Sequence, residues 1–153
     1  AEREASSLLE VVGAGEGGVE EMAAHLRDSE VLWALLRFEL GSGSFTRSKV
    51  VLLHFNGEDC PAVRRARANS LISEVKACLR YGQDVEGFHA AIQMQRAEEV
   101  TSASVLRTIS EFFIIDHVEG YDHGWLVREY CNQISAERDA AAKRKAAEAA
   151  RRA

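Results

Sequence analysis

Two apolar runs decide the fold of this 153-residue chain: Val31–Leu40 (VLWALLRFEL) and Lys49–Phe55 (KVVLLHF). Each has the length of one strand and is rich in leucine, valine and aromatic residues, which favour buried strands. Gly-Ser-Gly-Ser at residues 41–44 lies between them and is typical of a turn. The pattern therefore predicts an antiparallel hairpin whose first strand is mostly buried.

Two weaker strands are predicted on either side of this hairpin. Leu8–Val12 (LLEVV) predicts a short strand that ends at the glycine-rich segment 13–18. Phe88–Met94 alternates weakly between apolar and polar residues, which predicts another strand of the same sheet.

Helical spacing of apolar residues predicts four helices. The first follows the glycines and ends near Arg27, and the second is a long helix that Pro61 opens, because proline is tolerated in the first turn. A third helix is predicted over Ser104–Phe112, and a fourth begins near Trp125 and continues into the C-terminal segment. The stripe of the long helix consists of Ala68, Leu71, Ile72, Val75, Cys78 and Leu79.

This order of elements predicts an α+β domain with one mixed β-sheet, helices on its faces and a C-terminal helical extension. We expect residues 1–115 to form the domain and residues 116–134 to form a loop and a helix. Residues 135–153 are rich in alanine and charge and nearly lack large apolar residues, which predicts a solvated helical tail.

The charge of the chain is unevenly distributed. Its formal net charge is −5, but residues 135–153 carry +3, which leaves −8 on the first 134 residues. An acidic body is a poor general ligand for phosphates, so nucleic-acid binding is expected only through the basic tail. No apolar run approaches the roughly 18 residues that span a bilayer. The three cysteines lack metal-ligand spacing, which favours reduced thiols in the cytoplasm.

Arg64, Arg65 and Arg67 are unusual because they occupy the first turns of the long predicted helix. A helix N-terminus carries partial positive charge and therefore disfavours cations. One explanation is that an acidic partner receives these guanidinium groups. The alternative is that Glu58, Asp59 and a neighbouring carboxylate neutralise them. Arg47 and Lys49 form a second cationic pair where the second hairpin strand begins, and they either bind a partner or protect a sheet edge.

Residues that suggest catalysis are few. Asp116-His117 and Asp122-His123 form two carboxylate–imidazole pairs, but surface loops often contain such pairs by chance, and we expect no metal or other cofactor there. His25, His54 and His89 lie in apolar-patterned elements and are expected to be structural. The sequence contains none of the glycine-rich or serine nucleophile motifs of common enzyme families. We therefore expect a non-enzymatic protein.

Residues from Gly15 to about Ile109 resemble the actin-depolymerising-factor homology (ADF-H) domain, in its coactosin and drebrin-like branch. The Gly-Glu-Gly-Gly segment at 15–18 is similar to the family's glycine-rich start of a helix, and Phe45–Leu53 is similar to the coactosin strand that begins Lys-Arg-Ser-Lys. Gly57–Arg65 matches the start of the long helix, and Phe88–Val100 resembles the last strand and its exit. The pieces are short but collinear over about 95 residues.

The resemblance implies an ADF-H/gelsolin-like fold and binding to the side of filamentous actin. Lys49 matches the family's essential strand lysine, and Arg64, Arg65 and Arg67 match the basic start of its actin-facing helix. With Arg47, these are the predicted actin-binding residues. The implied partner is F-actin or another acidic protein surface, and the implied location is cytoplasmic, on the cytoskeleton. Members of this branch bind filaments without the severing expected of cofilin.

One departure from the family leaves an alternative open. A complete domain of this type begins with a helix and a strand before the segment that matches Leu8–Val12. Either the sequence is a fragment, or those elements are absent and a sheet edge lies open. In the second case Phe112–Ile134 or a neighbouring chain would cover the edge. The alternative function is therefore a structural subunit of a larger cytoskeletal or organellar assembly that no longer binds actin.

Overall fold

A computed structural model describes residues 9–40, 47–79, 88–110 and 123–152. It contains, in chain order, α1 (Gly18–Ala23), β1 (Val31–Leu40), β2 (Arg47–Asn56), α2 (Ala62–Ser70), α3 (Ile72–Cys78), β3 (Ala90–Met94), a 3₁₀ turn (Ala97–Glu99), α4 (Ser102–Ile109) and α5 (His123–Arg152).

The three strands form one mixed sheet in the order β1-β2-β3. β1 and β2 are antiparallel, with Leu36 opposite Val51, and β2 and β3 are parallel, with Leu53 opposite Ile92. The predicted hairpin, the third strand and the α+β class are therefore confirmed. The prediction that the first strand is mostly buried is wrong, because β1 lies at the edge of the described sheet and is mostly half-buried, whereas residues 50–56 of β2 are buried. The glycine-serine turn of the hairpin lies outside the described residues.

The main core lies on one face of the sheet, where alternate residues of each strand point. Its sheet side includes Phe38, Leu53 and Phe55, each with no exposed surface. α4 and α5 cover this face. Their fully buried side chains include Val105, Leu106, Ile109 and Leu126.

Two polar contacts join α1 to the helices of this layer. The carboxylate of Glu20 accepts hydrogen bonds from the backbone N–H of Ser102 (2.9 Å) and from its hydroxyl (2.6 Å). The Tyr130 hydroxyl of α5 accepts one from the backbone N–H of Val19 (3.0 Å). Gly18 has a φ of +70°, and a side chain there would clash with Tyr130 and Ile134, so glycine is required at this position.

The opposite face of the sheet carries α2 and α3. Val50, Leu52, His54 and Asn56 of β2 are buried on this face, as is Val75 of α3. The sheet therefore has helices on both faces, as predicted.

The long helix predicted from Pro61 to Leu79 is wrong in one respect, since Leu71 interrupts it (φ −95°, ψ 7°). The Ser70 hydroxyl donates to the carbonyl oxygen of Arg67 (2.7 Å), and the N–H of Leu71 bonds to Ala68 rather than to Arg67. A serine hydroxyl that donates to a backbone carbonyl oxygen competes with the backbone N–H that would otherwise bond to that oxygen in a helix. Two helices, α2 and α3, result.

The predicted strand at Leu8–Val12 is also wrong, because residues 9–15 have no regular structure. The apolar side chains of this segment are exposed, namely those of Leu9, Val11 and Val12. A high strand propensity does not by itself specify a neighbouring strand with which a segment can pair. Leu8 lies outside the described residues. The first helix is shorter than predicted and ends at Ala23, although Leu26 remains buried.

The C-terminal helix α5 is continuous from His123 to Arg152 and passes through the predicted boundary at residue 134. Arg144 pairs with Glu16 (3.2 Å), and Arg37 of β1 lies 3.7 Å from Glu137. From Ala142 onward its described side chains are exposed. The loop predicted at the start of residues 116–134 falls mostly outside the described residues.

Candidate functional site

The start of α2 is held against the loop that precedes β1. The N–H of Gly57 bonds to the carbonyl oxygen of Glu30 (3.1 Å), and the N–H of Asp59 bonds to that of Asp28 (2.9 Å). A side chain on Gly57 would clash with the Asp28 carbonyl, so the close approach requires glycine. Pro61 is the N-cap residue of α2, so it lies immediately before the first turn in which it was predicted. These contacts fix the direction in which α2 leaves the sheet.

The three predicted arginines lie together on α2. Arg64 and Arg67 are exposed, and Arg65 is half-buried. The first turn of α2 contains no acidic residue. Arg64 and Arg65 lie near the start of α2, where a cation is unfavourable by a few tenths of a kcal/mol per residue. Arg67 was also expected at an unfavourable position, but α2 ends at Ser70, so Arg67 lies in its last turn, where a cation is favourable.

Glu58 was one of the acidic residues that could neutralise these arginines within the chain. It forms an ion pair with Arg96 instead (2.7 Å). Within the described ranges, no salt bridge involves Arg64 or Arg65. Their guanidinium groups are therefore available to carboxylates of another molecule.

Val63 is a member of this surface that the sequence reasoning missed. Its side chain is 84% exposed, the most exposed large apolar residue among those described. On a helix, Val63 and Arg67 are one turn apart and Arg64 is adjacent. The exposure of Val63 could have been found from the sequence: on a helical projection, Val63 lies away from the apolar stripe that faces the sheet. We call Val63, Arg64, Arg65 and Arg67 the arginine surface.

Lys49 lies elsewhere. It pairs in register with Phe38, so it shares the core face of the sheet, whereas α2 covers the other face. Lys49 and Asn56 are seven positions apart, which is about 23 Å along a strand. Lys49 is partly exposed and forms no salt bridge within the described residues. Arg47 is the first residue of β2, and its side chain is outside what the structure describes. The structure therefore gathers the arginines but separates them from Lys49.

A buried polar cluster lies between the arginine helix and the sheet. Asn69 of α2 donates a hydrogen bond to the side-chain oxygen of Asn56 (3.4 Å), and the ring of His54 stacks on Trp33 with 5.6 Å between centroids. His54 and Asn56 are each only 8% exposed. In the described part of the chain, Trp33 Nε1, His54 Nε2 and Asn69 Oδ1 are buried without hydrogen-bond partners. This interface is thus polar and incompletely satisfied.

Burial lowers the pKa of His54 below its ordinary value, because a charged ring loses hydration there. The Asn69 side chain favours the charged ring, and the ammonium group of Lys76 on α3 opposes it. The net direction is downward, so the neutral imidazole is the favoured form at pH 7.

Little in the described residues suggests catalysis or metal binding. No cluster of three or more histidine, cysteine or acidic side chains in those ranges has the geometry of a metal site. Asp116, His117 and Asp122 lie outside the described residues, as does the side chain of His123. None of the helices in the described ranges has the length and apolar character needed to cross a bilayer.

Comparisons with known proteins agree with this architecture. Residues 2–110 match the family described as cofilin/tropomyosin-type actin-binding protein. The mouse and rat drebrin-like proteins are 26% identical over 106 residues, which is 69% of this chain but only 22% of their own length. The chain therefore spans about a fifth of the curated relatives it matches.

Solved structures show the same fold. Coactosin from Entamoeba histolytica has a TM-score of 0.55 and 23% identity, with 67% of this chain and 70% of that one covered. Human coactosin-like protein has a TM-score of 0.51 and 20% identity, with 65% and 69% covered. The mixed sheet, the flanking helices and the match over residues 2–110 together show that this chain belongs to the cofilin/ADF (ADF-H) family of actin-binding proteins.

Proposed function

We propose that this chain binds the side of actin filaments, in the manner of the coactosin and drebrin-like branch, and that it acts without catalysis at the cytoskeleton. The arginine surface and Lys49 are the proposed contacts, and Arg47 is included because it begins the same strand as Lys49. The observation that carries the proposal is that Arg64 and Arg65 occupy an unfavourable helix position without an acidic partner in the described ranges.

The composition of the arginine surface supports a protein partner. Guanidinium groups next to an exposed apolar side chain are typical of interfaces in which charge orients the partner and apolar contact adds affinity. The body of the chain is acidic, so binding to polyanions in general is not favoured. A partner with localised carboxylates fits better than a nucleic acid.

The separation between Lys49 and the arginine surface supports a large partner. Lys49 lies about 23 Å along β2 from Asn56, the end of the strand that leads to α2, and α2 packs on the opposite face of the sheet. A short peptide does not reach both. A filament presents several acidic surfaces at fixed spacing, and it is therefore the partner we favour.

Co-sedimentation with filamentous actin tests the proposal. We expect the wild-type chain to pellet with filaments, and we expect its affinity to fall as salt rises, because contacts between exposed charges are screened. Arg64→Glu with Arg65→Glu should weaken binding by roughly a hundredfold, since arginines at the centre of an interface often contribute about 1–2 kcal/mol each.

Arg107→Glu is the matched control, because Arg107 is an exposed arginine on α4, which covers the other face of the sheet. The control for the double variant Arg64→Glu with Arg65→Glu is itself a double variant, in which Arg107→Glu is combined with Arg128→Glu on α5. Equal loss of binding in the control pair would show that net charge, rather than the arginine surface, determines pelleting. Unchanged pelleting of the Arg64/Arg65 variant would refute the proposal.

A second function, as a subunit of an assembly, is favoured by the edge of the sheet. β1 is an edge strand of ten residues in the described sheet, and Leu35 on it is 38% exposed. Of its outward N–H groups, that of Glu39 is bonded to the Gln133 side chain (3.2 Å). Long exposed edges favour pairing with another chain. A concentration-dependent mass above 16.9 kDa in sedimentation equilibrium would support this function, and a monomer at all concentrations would exclude self-assembly.

A further inference from the structure

We propose that Ser70 is a phosphorylation site for a protein kinase that recognises arginine, and that phosphate on its hydroxyl weakens the binding of an acidic partner at the arginine surface. The modification stands on the sequence and structure of the chain alone. The effect on binding deepens the proposed function and rests on it.

The sequence around Ser70 is the first argument. Residues 64–71 read Arg-Arg-Ala-Arg-Ala-Asn-Ser-Leu, so arginines stand three and five residues before the serine and a leucine follows it. Kinases that select basic substrates place carboxylates opposite such arginines, and this charge pattern separates their substrates from others. Arginine three residues before a serine also occurs at Ser6 and Ser110. Among the serines and threonines of the whole sequence, only Ser70 has the second arginine five residues before it.

The second argument is that a kinase can reach Ser70. It is exposed, it is the last residue of α2, and Leu71 interrupts the helix directly after it. α2 contains no buried residue, and the Asn69–Asn56 hydrogen bond that ties its end to the sheet is long at 3.4 Å. A segment with few buried contacts opens locally at a low cost in free energy. Residues 64–71 can therefore extend into the substrate groove of a kinase.

Ser110 provides a contrast within the same chain. Its hydroxyl donates to the carbonyl oxygen of Arg107 (2.9 Å), as the Ser70 hydroxyl donates to that of Arg67 (2.7 Å). The helices that end at these two serines differ, because α4 has four buried residues and α2 has none. We therefore expect α4 to stay closed under conditions in which α2 opens, and Ser110 is the natural control site.

The transfer step needs only the kinase and Mg·ATP. The Oγ of Ser70 attacks the γ-phosphorus, the bond from that phosphorus to the oxygen that bridges it to the β-phosphate breaks, and ADP leaves. A carboxylate of the kinase accepts the hydroxyl proton. The product is a phosphate ester on Ser70.

The third argument is the place of the phosphate relative to the arginine surface. Val63, Arg67 and Ser70 stand at positions i, i+4 and i+7, so they share one face of α2. A phosphoserine carries a charge of about −1.5 to −2 at pH 7, which lowers the summed charge of this surface from +3 to about +1. An anion at the end of a helix is unfavourable unless a cation meets it, and the guanidinium of Arg67 is one turn away. An acidic partner therefore meets less positive charge.

Phosphorylation of the full chain tests the modification without actin. The probe is protein kinase B, a kinase selective for arginine at these two positions, with Mg·ATP. We expect the mass of one phosphoryl group on the peptide that contains Ser70, its loss in Ser70→Ala, and its retention in Ser73→Ala, since Ser73 is exposed but lacks both arginines. Arg65→Ala should slow the transfer. A chain that takes up no phosphate on Ser70, or takes it up faster on Ser110, overturns the proposal.

Co-sedimentation of the phosphorylated chain with filamentous actin tests the effect on binding. We expect it to bind roughly tenfold more weakly than the unmodified chain, because the added anion offsets the charges that orient the partner. Ser70→Ala should bind as the wild type does, which separates the added charge from the lost hydrogen bond to Arg67. Ser70→Asp should weaken binding, whereas Ser110→Asp adds the same charge on α4 and should not. Equal binding of the phosphorylated and unmodified chains would overturn this step.

The two experiments distinguish a failure of this inference from a failure of the proposed function. Phosphate on Ser70 together with no actin binding by either form means that the proposed function is wrong and the modification site is right. Actin binding by a chain that takes up no phosphate on Ser70 means the reverse. If Ser70→Ala fails to fold, peptide mapping in the wild-type chain still decides the site.

Discussion

Among single residues, Glu20 shows how one carboxylate joins two distant elements. Glu20 lies on α1, 82 residues before Ser102. Its carboxylate accepts hydrogen bonds from the backbone N–H and the hydroxyl of Ser102, the first residue of α4. Burial raises the pKa of Glu20, but the Ser102 hydroxyl and N–H lower it more, so the net pKa is below its ordinary value of 4.5. The ionised form is therefore the one that holds α1 against α4.

Glu20→Gln should destabilise the chain by about 1 kcal/mol at pH 7, because charged hydrogen bonds are strong but solvent screens this partly exposed group. The pKa is lower in the folded state, so the stabilisation is present above about pH 4.5 and is lost as pH falls through the folded-state pKa. Urea unfolding at pH 7 and pH 3.5 measures both. The difference from wild type should shrink at pH 3.5, whereas exposed Glu74→Gln should have little effect at either pH.

Val63 leads to a different residue-scale prediction. Val63→Ala should leave stability nearly unchanged, because the side chain is 84% exposed. It should weaken actin binding by roughly tenfold if the valine is buried in the complex, since burial of an apolar side chain contributes about 1–2 kcal/mol. This loss should persist at high salt, unlike the effect of Arg64→Glu. A Val63 effect that disappears with salt would indicate that the valine does not enter the interface.

At the scale of elements, the sequence predicted what hydrophobic pattern and local chemistry determine. The hairpin, β3 and α4 are confirmed because their apolar residues face a core that the pattern anticipates. The break at Leu71 was not predicted, since it depends on which carbonyl the Ser70 hydroxyl selects. The strand at Leu8–Val12 was predicted wrongly because propensity does not specify a pairing partner.

The candidate site was predictable to a similar degree. The arginines follow from residue type at a helix start, and the structure places them together on α2. The distance to Lys49, the exposure of Val63 and the cluster around His54 depend on which face of the sheet each element covers. Face assignment requires tertiary packing, which short sequence windows do not contain.

The C-terminal helix gives an element-scale prediction. A chain truncated after Ala141 should unfold at nearly the same urea concentration as the full chain, because the described side chains from Ala142 onward are exposed and their one pair with the body, Arg144–Glu16, is on the surface. Truncation after Trp125 should abolish cooperative unfolding, since it removes Leu126 and Tyr130 from the core. A large effect of the first truncation would show that the tail contributes to the core.

At the scale of the whole molecule, the two cationic patches make independent contributions. Lys49 and the arginine surface are separated by the sheet, and distant sites usually contribute additively to free energy. Lys49→Glu combined with Arg65→Glu should therefore weaken pelleting by about the product of the two single-variant losses.

The free-energy losses of the two single variants should sum to that of the double variant within about 0.5 kcal/mol. Co-sedimentation of the three variants over a range of actin concentrations measures this. Strong non-additivity would indicate that both side chains contact one small acidic site, which conflicts with their separation on β2.

The Val19–Tyr130 hydrogen bond joins residues 111 positions apart, and it has a consequence for synthesis on the ribosome. The glycine-rich turn and α1 emerge early, but their partner on α5 leaves the exit tunnel only after nearly the whole domain has been translated. Contacts between distant residues form late, because loop closure precedes any gain from them. Nascent chains stopped before Tyr130 should therefore leave α1 open to proteases, and release of α5 should close the domain in a single late step.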